Sequence, residues 1–297
     1  MILTLTDVMV RRDFVGQSFK SLLQIKPRTK LCCSRSVPIR EAGGVFVRSG
    51  QTAEIAVAVA HSGKKKAMRN PAAQAAQAIE EQLVAIPIGS QLLNGKLTVP
   101  LESSGLILFA QGSGSGLHNP RNHYVDRYVA RLLNESSLAT LLTDLLTVEE
   151  QEIDLRTKQL RLNIALLAER LIGVADWFTQ YPETKGLRLG YFGTDTGTAT
   201  ALEAAALRSD QVGAITSRGG RPDLAGSALV RVSAPTLLIV GGKDLEAVKL
   251  NREAFKQLKC EKQLALVPGA TRLFEEPGAL DEVAALARRW YHSHLVG

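Results

Sequence analysis

The chain has 297 residues, 45% of them hydrophobic, which is enough for one sizeable α/β core plus a further segment, and it contains no apolar run that could span a bilayer. Its formal charge of +7 comes from one end: residues 1–80 carry 13 Lys and Arg against 5 Asp and Glu, and residues 81–297 carry 23 against 24. Such an excess usually belongs to a solvated extension, so neither membrane nor nucleic acid is expected as a partner.

Residues 1–80 mix a short apolar start, a basic stretch with prolines at 26–40, a strand-like run at 53–60 and Lys64-Lys65-Lys66. Arg11 and Arg12 follow the apolar residues instead of preceding them, which is not the order of a secretory signal. The segment reads as a basic N-terminal extension, partly disordered. From residue 81 the punctuation becomes regular. Runs 83–88 and 91–99, with Gly89-Ser90 and Asn94-Gly95, predict an antiparallel hairpin at a sheet edge. The continuous apolar run 105–110 predicts a strand buried on both faces, closed by Gln111-Gly112-Ser113-Gly114-Ser115-Gly116. A helix at 124–133 and a strand at 139–144 follow, then apolar residues at helical spacing over 160–178. Beyond these come strands at 187–192, 212–217, 235–240 and 263–267, and helices at 199–207, 251–258 and 277–294. Strands alternating with helices argue a mostly parallel sheet with helices on both faces.

One junction in that series carries chemistry. Strand 187–192 leads through Gly193-Thr194-Asp195-Thr196-Gly197 into an alanine-rich helix. Glycines on either side of a central residue permit a strained turn and a close strand–helix approach, which is the pattern of a nucleophile elbow, G-x-S-x-G, with aspartate at its centre. In such a sheet the loops after the carboxyl ends of the strands converge on one crevice. Three cysteines, two adjacent and one distant, have neither disulfide nor metal-ligand spacing, so no metal or other cofactor is expected and the expected location is cytoplasmic.

Several blocks in order carry a resemblance: Gln111-Gly112-Ser113-Gly114-Ser115 with His118-Asn119-Pro120-Arg121-Asn122, Leu142-Thr143-Asp144, Gly190-Tyr191-Phe192-Gly193-Thr194-Asp195-Thr196-Gly197, Ser217-Arg218-Gly219-Gly220-Arg221-Pro222-Asp223, Gly241-Gly242-Lys243-Asp244 and Pro268-Gly269-Ala270-Thr271-Arg272. Residues 81–297 resemble the dienelactone-hydrolase-like group of α/β-hydrolases. The resemblance implies an α/β-hydrolase fold and a small ester or lactone as ligand. It places the nucleophile at Asp195, the acid at Asp244 and the histidine at Arg272. Gln111, Gly112, Ser113 and Thr196 fall in the oxyanion region, and His118, Arg121 and Arg218 are candidate ligand-binding residues.

Losing the histidine of such a triad lowers turnover about a million-fold, and arginine gives up no proton near neutrality. The sequence therefore predicts an impaired hydrolase in which Asp195 and Arg272 form a salt bridge, with Asp244 adding to it. The alternative is an active enzyme that uses Asp195 as nucleophile, as haloalkane dehalogenases and epoxide hydrolases do, or a residual esterase.

Overall fold

A computed structural model of the protein describes residues 81–111 and 120–296. The extension expected over residues 1–80 and the glycine-serine loop at 112–119 lie outside the described residues. Eight strands form one sheet in the order β1-β2-β4-β3-β5-β6-β7-β8. They are β1 (Glu81–Ile88), β2 (Gln91–Thr98), β3 (Gly105–Gln111), β4 (Leu138–Thr143), β5 (Arg188–Thr194), β6 (Val212–Arg218), β7 (Thr236–Gly241) and β8 (Lys262–Val267). The β1–β2 hairpin is antiparallel and joins β4 antiparallel, whereas every pairing from β4 to β8 is parallel. Among the described residues, no helix is long and apolar enough to cross a membrane.

The helices are α1 (Pro120–Asn134), α2 (Val148–Thr157), α3 (Ile164–Gln180), α4 (Thr196–Leu207), α5 (Leu245–Gln257) and α6 (Ala279–Leu295). Strand β3 shows how they are held. Leu106 and Leu108 join the core that contains Leu171, Phe178 and Ala201 of α3 and α4, while Ile107 and Phe109 join the one with Val129, Leu133, Val283 and Tyr291 of α1 and α6. Side chains that alternate across a strand thus find apolar cover on both sides, as a continuous apolar run requires. Tyr291 also ties α6 to the sheet, its hydroxyl donating to the Tyr191 carbonyl at 2.7 Å.

Two predicted helices differ from what forms, and a third helix, Val148–Thr157, is not among those predicted. The run predicted as one helix over 160–178 is broken at Asn163, whose side-chain oxygen accepts the Leu166 N–H at 3.2 Å and so caps α3; Leu160–Leu162 before it is a separate 3₁₀ turn. Helix α2 lacks an apolar face and buries only Asp154. It is held by a capping box, in which Thr147 Oγ1 accepts from Glu150 N–H and Glu150 Oε2 accepts from Thr147 N–H, and by the Glu150 carboxylate against Arg170 of α3. Helix α5 begins at Leu245, earlier than the predicted 251, because Asp244 caps it.

Candidate functional site

The crevice lies at the carboxyl ends of β5 and β6, with the loop after β8 as its wall. Its centre is the β5–α4 turn. A Cβ on Gly193 would lie 2.6 Å from Thr198 Cα, so only glycine lets strand and helix approach this closely. The chain then turns through Asp195 at φ 48° and ψ −125°, a conformation disfavoured for any residue with a Cβ. The Asp195 carbonyl accepts N–H groups from Thr198 at 3.2 Å and from Arg221 at 3.0 Å, which holds the strained residue from two sides. The turn presents the Asp195 carboxylate outward, 46% exposed, at the N-terminus of α4. There the helix dipole favours a negative charge, and the first N–H groups of α4, that of Thr196 included, lack intrahelical acceptors.

Arg272, 49% exposed, places its Nη2 on Asp195 Oδ1. Its loop is positioned by main chain. A Cβ on Gly241 would lie 2.3 Å from the Thr271 carbonyl oxygen, and one on Gly219, which has φ +53°, would lie 2.8 Å from that of Arg272. Asp244 does not join the pair, contrary to expectation; its Oδ1 accepts the Ala247 N–H at 3.0 Å as the cap of α5, and no ion pair links it to Arg272 among the described residues. The residues at the positions that the resemblance implies for nucleophile and histidine thus form one salt bridge, and the one at the position implied for the acid caps a helix.

Beneath the pair lies a buried row. Gln111, Thr194 and Arg218 are register partners at the ends of β3, β5 and β6, each no more than 5% exposed. Asp126 of α1, fully buried, spans them: Gln111 Nε2 donates to its Oδ2 at 3.1 Å and Arg218 Nη2 donates to its Oδ1 at 3.1 Å. Burial raises the Asp126 carboxyl above its ordinary value, and the charge and hydrogen bonds of Arg218 and Gln111 only partly oppose it. Gln111 Oε1, Thr194 Oγ1, Thr196 Oγ1 and Arg218 Nε have no hydrogen-bond partner among the described residues. A cavity of about 550 Å³ opens above, lined by Thr194, Asp195, Arg218, Gly219, Thr271, Arg272 and Leu273.

Of the other residues singled out from sequence, Gly112, Ser113 and His118 lie outside the described residues, and Arg121 is in α1 with its side chain also outside them. Sequence reasoning missed Asp126. The signal available was a carboxylate on the apolar stripe Val125, Val129, Ala130 and Leu133 of α1. It also gave no role to Ser217, whose hydroxyl bonds that of Thr198 at 2.9 Å beneath Gly220. Among the described histidines, His294 lies 3.7 Å from Glu261 and beside Gly213 near the start of β6, at the amino ends of the strands.

No protein-family model matches the chain. Dienelactone hydrolase from Anabaena variabilis, a solved structure, is 53% identical with a TM-score of 0.69, and the match covers 73% of this chain and 98% of that one. Est1E from Butyrivibrio proteoclasticus shares the fold at a TM-score of 0.58 with 16% identity, over 71% of this chain and 98% of its own. A Mycobacterium tuberculosis protein provisionally named a phosphoribosyl transferase is 50% identical over 218 residues, or 73% of this chain and 47% of its own length. The chain therefore spans about half the length of the curated relatives it matches.

Proposed function

We propose, from the premise that this chain belongs to the dienelactone-hydrolase-like group of the α/β-hydrolase superfamily, that it is a binding protein for a small ester or lactone whose serine-type hydrolysis has been lost. The observation that carries this reading is the Arg272 guanidinium on the Asp195 carboxylate. Acyl transfer needs a nucleophile that gains a lone pair by giving up a proton, and a base beside it that takes that proton and later delivers it to the leaving group. Arginine holds its proton throughout the neutral range, so it cannot serve as the base that takes one from a nucleophile. A carboxylate at the elbow also opposes the negative charge that develops at a tetrahedral centre.

The strained backbone at Asp195 favours one second reading, attack by its carboxylate on an alkyl carbon, because the turn still presents that side chain to the crevice. Freeing the resulting ester would require a base to activate water, and Arg272 fills that place. Transfer of a phosphoribosyl group finds less support. Arg218, Arg221 and Arg272 already hold Asp126, Asp223 and Asp195, so the described site offers no unpaired arginine to a pyrophosphate. The cytoplasmic location is proposed from the cysteine pattern alone.

Assays with p-nitrophenyl esters and with a haloalkanoate test this. Neither product nor halide release above background is expected from the full chain, and Asp195→Ser with Arg272→His should restore ester turnover if the crevice is otherwise intact. Halide release that disappears in Asp195→Asn would establish the second reading and overturn the first.

A further inference from the structure

The sheet is covered unevenly. Val84 and Ile86 of β1 and Leu93 and Leu97 of β2 belong to the core under α3, whereas among the described residues none of β1 or β2 belongs to the core under α1 and α6. Their alternate side chains on that second face, Leu83, Ala85 and Pro87 of β1 and Leu92 of β2, are exposed, Leu83 at 81%. Between this face and α1 runs a groove of about 750 Å³, floored by Thr98, Thr140 and Leu142 and walled by Tyr124, Tyr128 and Arg131. Leu83 continues the floor, since the register puts it beside Lys96 and Lys96 beside Leu142. Apolar side chains clustered on an open sheet face mark a docking surface.

The chain itself leads into this groove. Glu81, the first residue of β1, lines it and is held there by Arg127 of α1 and Lys96 of β2, each 3.3 Å away. Strand β1 runs in the same direction as β4, because each is antiparallel to β2. Glu81 lies level with Thr98 and Thr140, where Asn134 at the end of α1 donates to Thr140 Oγ1 at 3.0 Å. A helix that descended the groove beside α1 would thus arrive at the start of β1, as α1 arrives at the start of β4.

Residues 71–79 carry the sequence of such a helix. Asn70 and Pro71 suit its N-cap and first position, and Pro71-Ala72-Ala73-Gln74-Ala75-Ala76-Gln77-Ala78-Ile79 is rich in the strongest helix former. Ala72, Ala75, Ala76 and Ile79 recur at i, i+3, i+4 and i+7, with Gln74 and Gln77 on the opposite side. As a helix this segment spans about 13 Å, and α1 lines the groove from Tyr124 to Asn134, about 15 Å. A helix so short is marginal by itself and needs a face to pack on. Its tether at Glu81 gives it a millimolar effective concentration at the groove, which a separate partner would have to exceed. We propose that residues 71–79 dock as a helix between α1 and the β1–β2 hairpin, with Ala72, Ala75, Ala76 and Ile79 toward the sheet, and close the face that the described helices leave open. The proposal is independent of what the crevice binds.

Hydrogen exchange of the full chain, read by mass spectrometry, tests this. Amides of residues 75–79, beyond the first helical turn, should exchange at least about tenfold more slowly than in a free peptide of the same sequence. Ala76→Glu puts a charge into the apolar stripe with little change in helix propensity, and Leu83→Glu puts one on the sheet face; each should abolish that protection. Gln77→Glu puts a charge on the opposite side and should leave the protection intact. Exchange at the peptide rate in the unaltered chain would overturn the proposal, as would protection that survives Leu83→Glu or that is lost equally in Gln77→Glu. Protection that rises with protein concentration, alongside dimer formation in sedimentation, would assign the face to a second copy and equally overturn it. The unaltered chain is decisive by itself, so the proposal stays open to refutation even if a variant fails to fold.

Discussion

Arg218→Met removes the charged partner of Asp126. The pair is the most buried ion pair among the described residues, with the arginine side chain 5% exposed and the aspartate 0%. Breaking a buried pair by deleting one partner costs about 3–5 kcal/mol, because the remaining charge is left without compensation. Gln111 Nε2 still donates to the carboxylate at 3.1 Å, which puts the expected loss near the lower end, about 3 kcal/mol. In a domain of this size that corresponds to a fall in Tm of about 6–12 °C. The loss should also depend on pH, with a definite sign. Burial raises the Asp126 carboxyl above its ordinary 3.8, and Arg218 is the largest influence lowering it, so the variant raises it further. A raised carboxyl favours folding below its ordinary value and loses that contribution as pH climbs through the folded value. The deficit of Arg218→Met should therefore be larger at higher pH and shrink as pH falls toward 3.8. Urea unfolding at about pH 8 and about pH 5, followed by circular dichroism, measures both effects. Arg218→Met with Asp126→Leu should recover most of the loss, since an apolar pair of similar volume has no charge to compensate. A single variant that loses less than about 1 kcal/mol, or a double variant no more stable than the single, would refute the reasoning.

Other expectations follow from features already described. Gly193→Ala drives a methyl to 2.6 Å from main chain and should destabilise by about 1–3 kcal/mol or shift the elbow, as read by thermal melting of the variant. The hydrogen bonds of Arg170 hold the Glu150 carboxyl below its ordinary 4.5, so the pair stabilises above that value and the contribution fades as pH falls through the lowered one. Glu150→Gln should accordingly lose about 1.5–3 kcal/mol at neutral pH and approach wild-type stability in acid, measured by parallel melts. Asp195→Gly and Asp195→Ala both remove the exposed pair with Arg272, but only glycine relaxes a φ of 48°. The glycine variant should be more stable than the alanine variant by about 1 kcal/mol, and equal melting temperatures would mean that the elbow stores no strain.

The sheet was legible because its strands are short apolar runs that end in glycine or polar residues, and β3, β5 and β7 are buried along nearly their whole length. Helix α2 was invisible to periodicity because it stands on a capping box and ion pairs and buries no apolar face. The break at Asn163 was hidden by apolar spacing that runs straight through it, although asparagine before a helical run is itself a cap signal. At the site, the elbow turn at Asp195 and its pair with Arg272 could be expected from local pattern. The row below them could not, since Asp126 meets Gln111 across 15 positions and Arg218 across 92, and the three meet only through the sheet register and the packing of α1 on the sheet.

The loop carrying Arg272 has one more implication. Its path is dictated by carbonyls packed on Gly219 and Gly241, so the guanidinium is a tenant of that backbone and no part of its foundation. Position 272 is in this sense a socket, where one side chain can be exchanged for another while the main chain that carries it stays as it is. Gain and loss of chemistry in such a crevice can then proceed by exchange of single side chains, each intermediate remaining a folded protein on which selection can act.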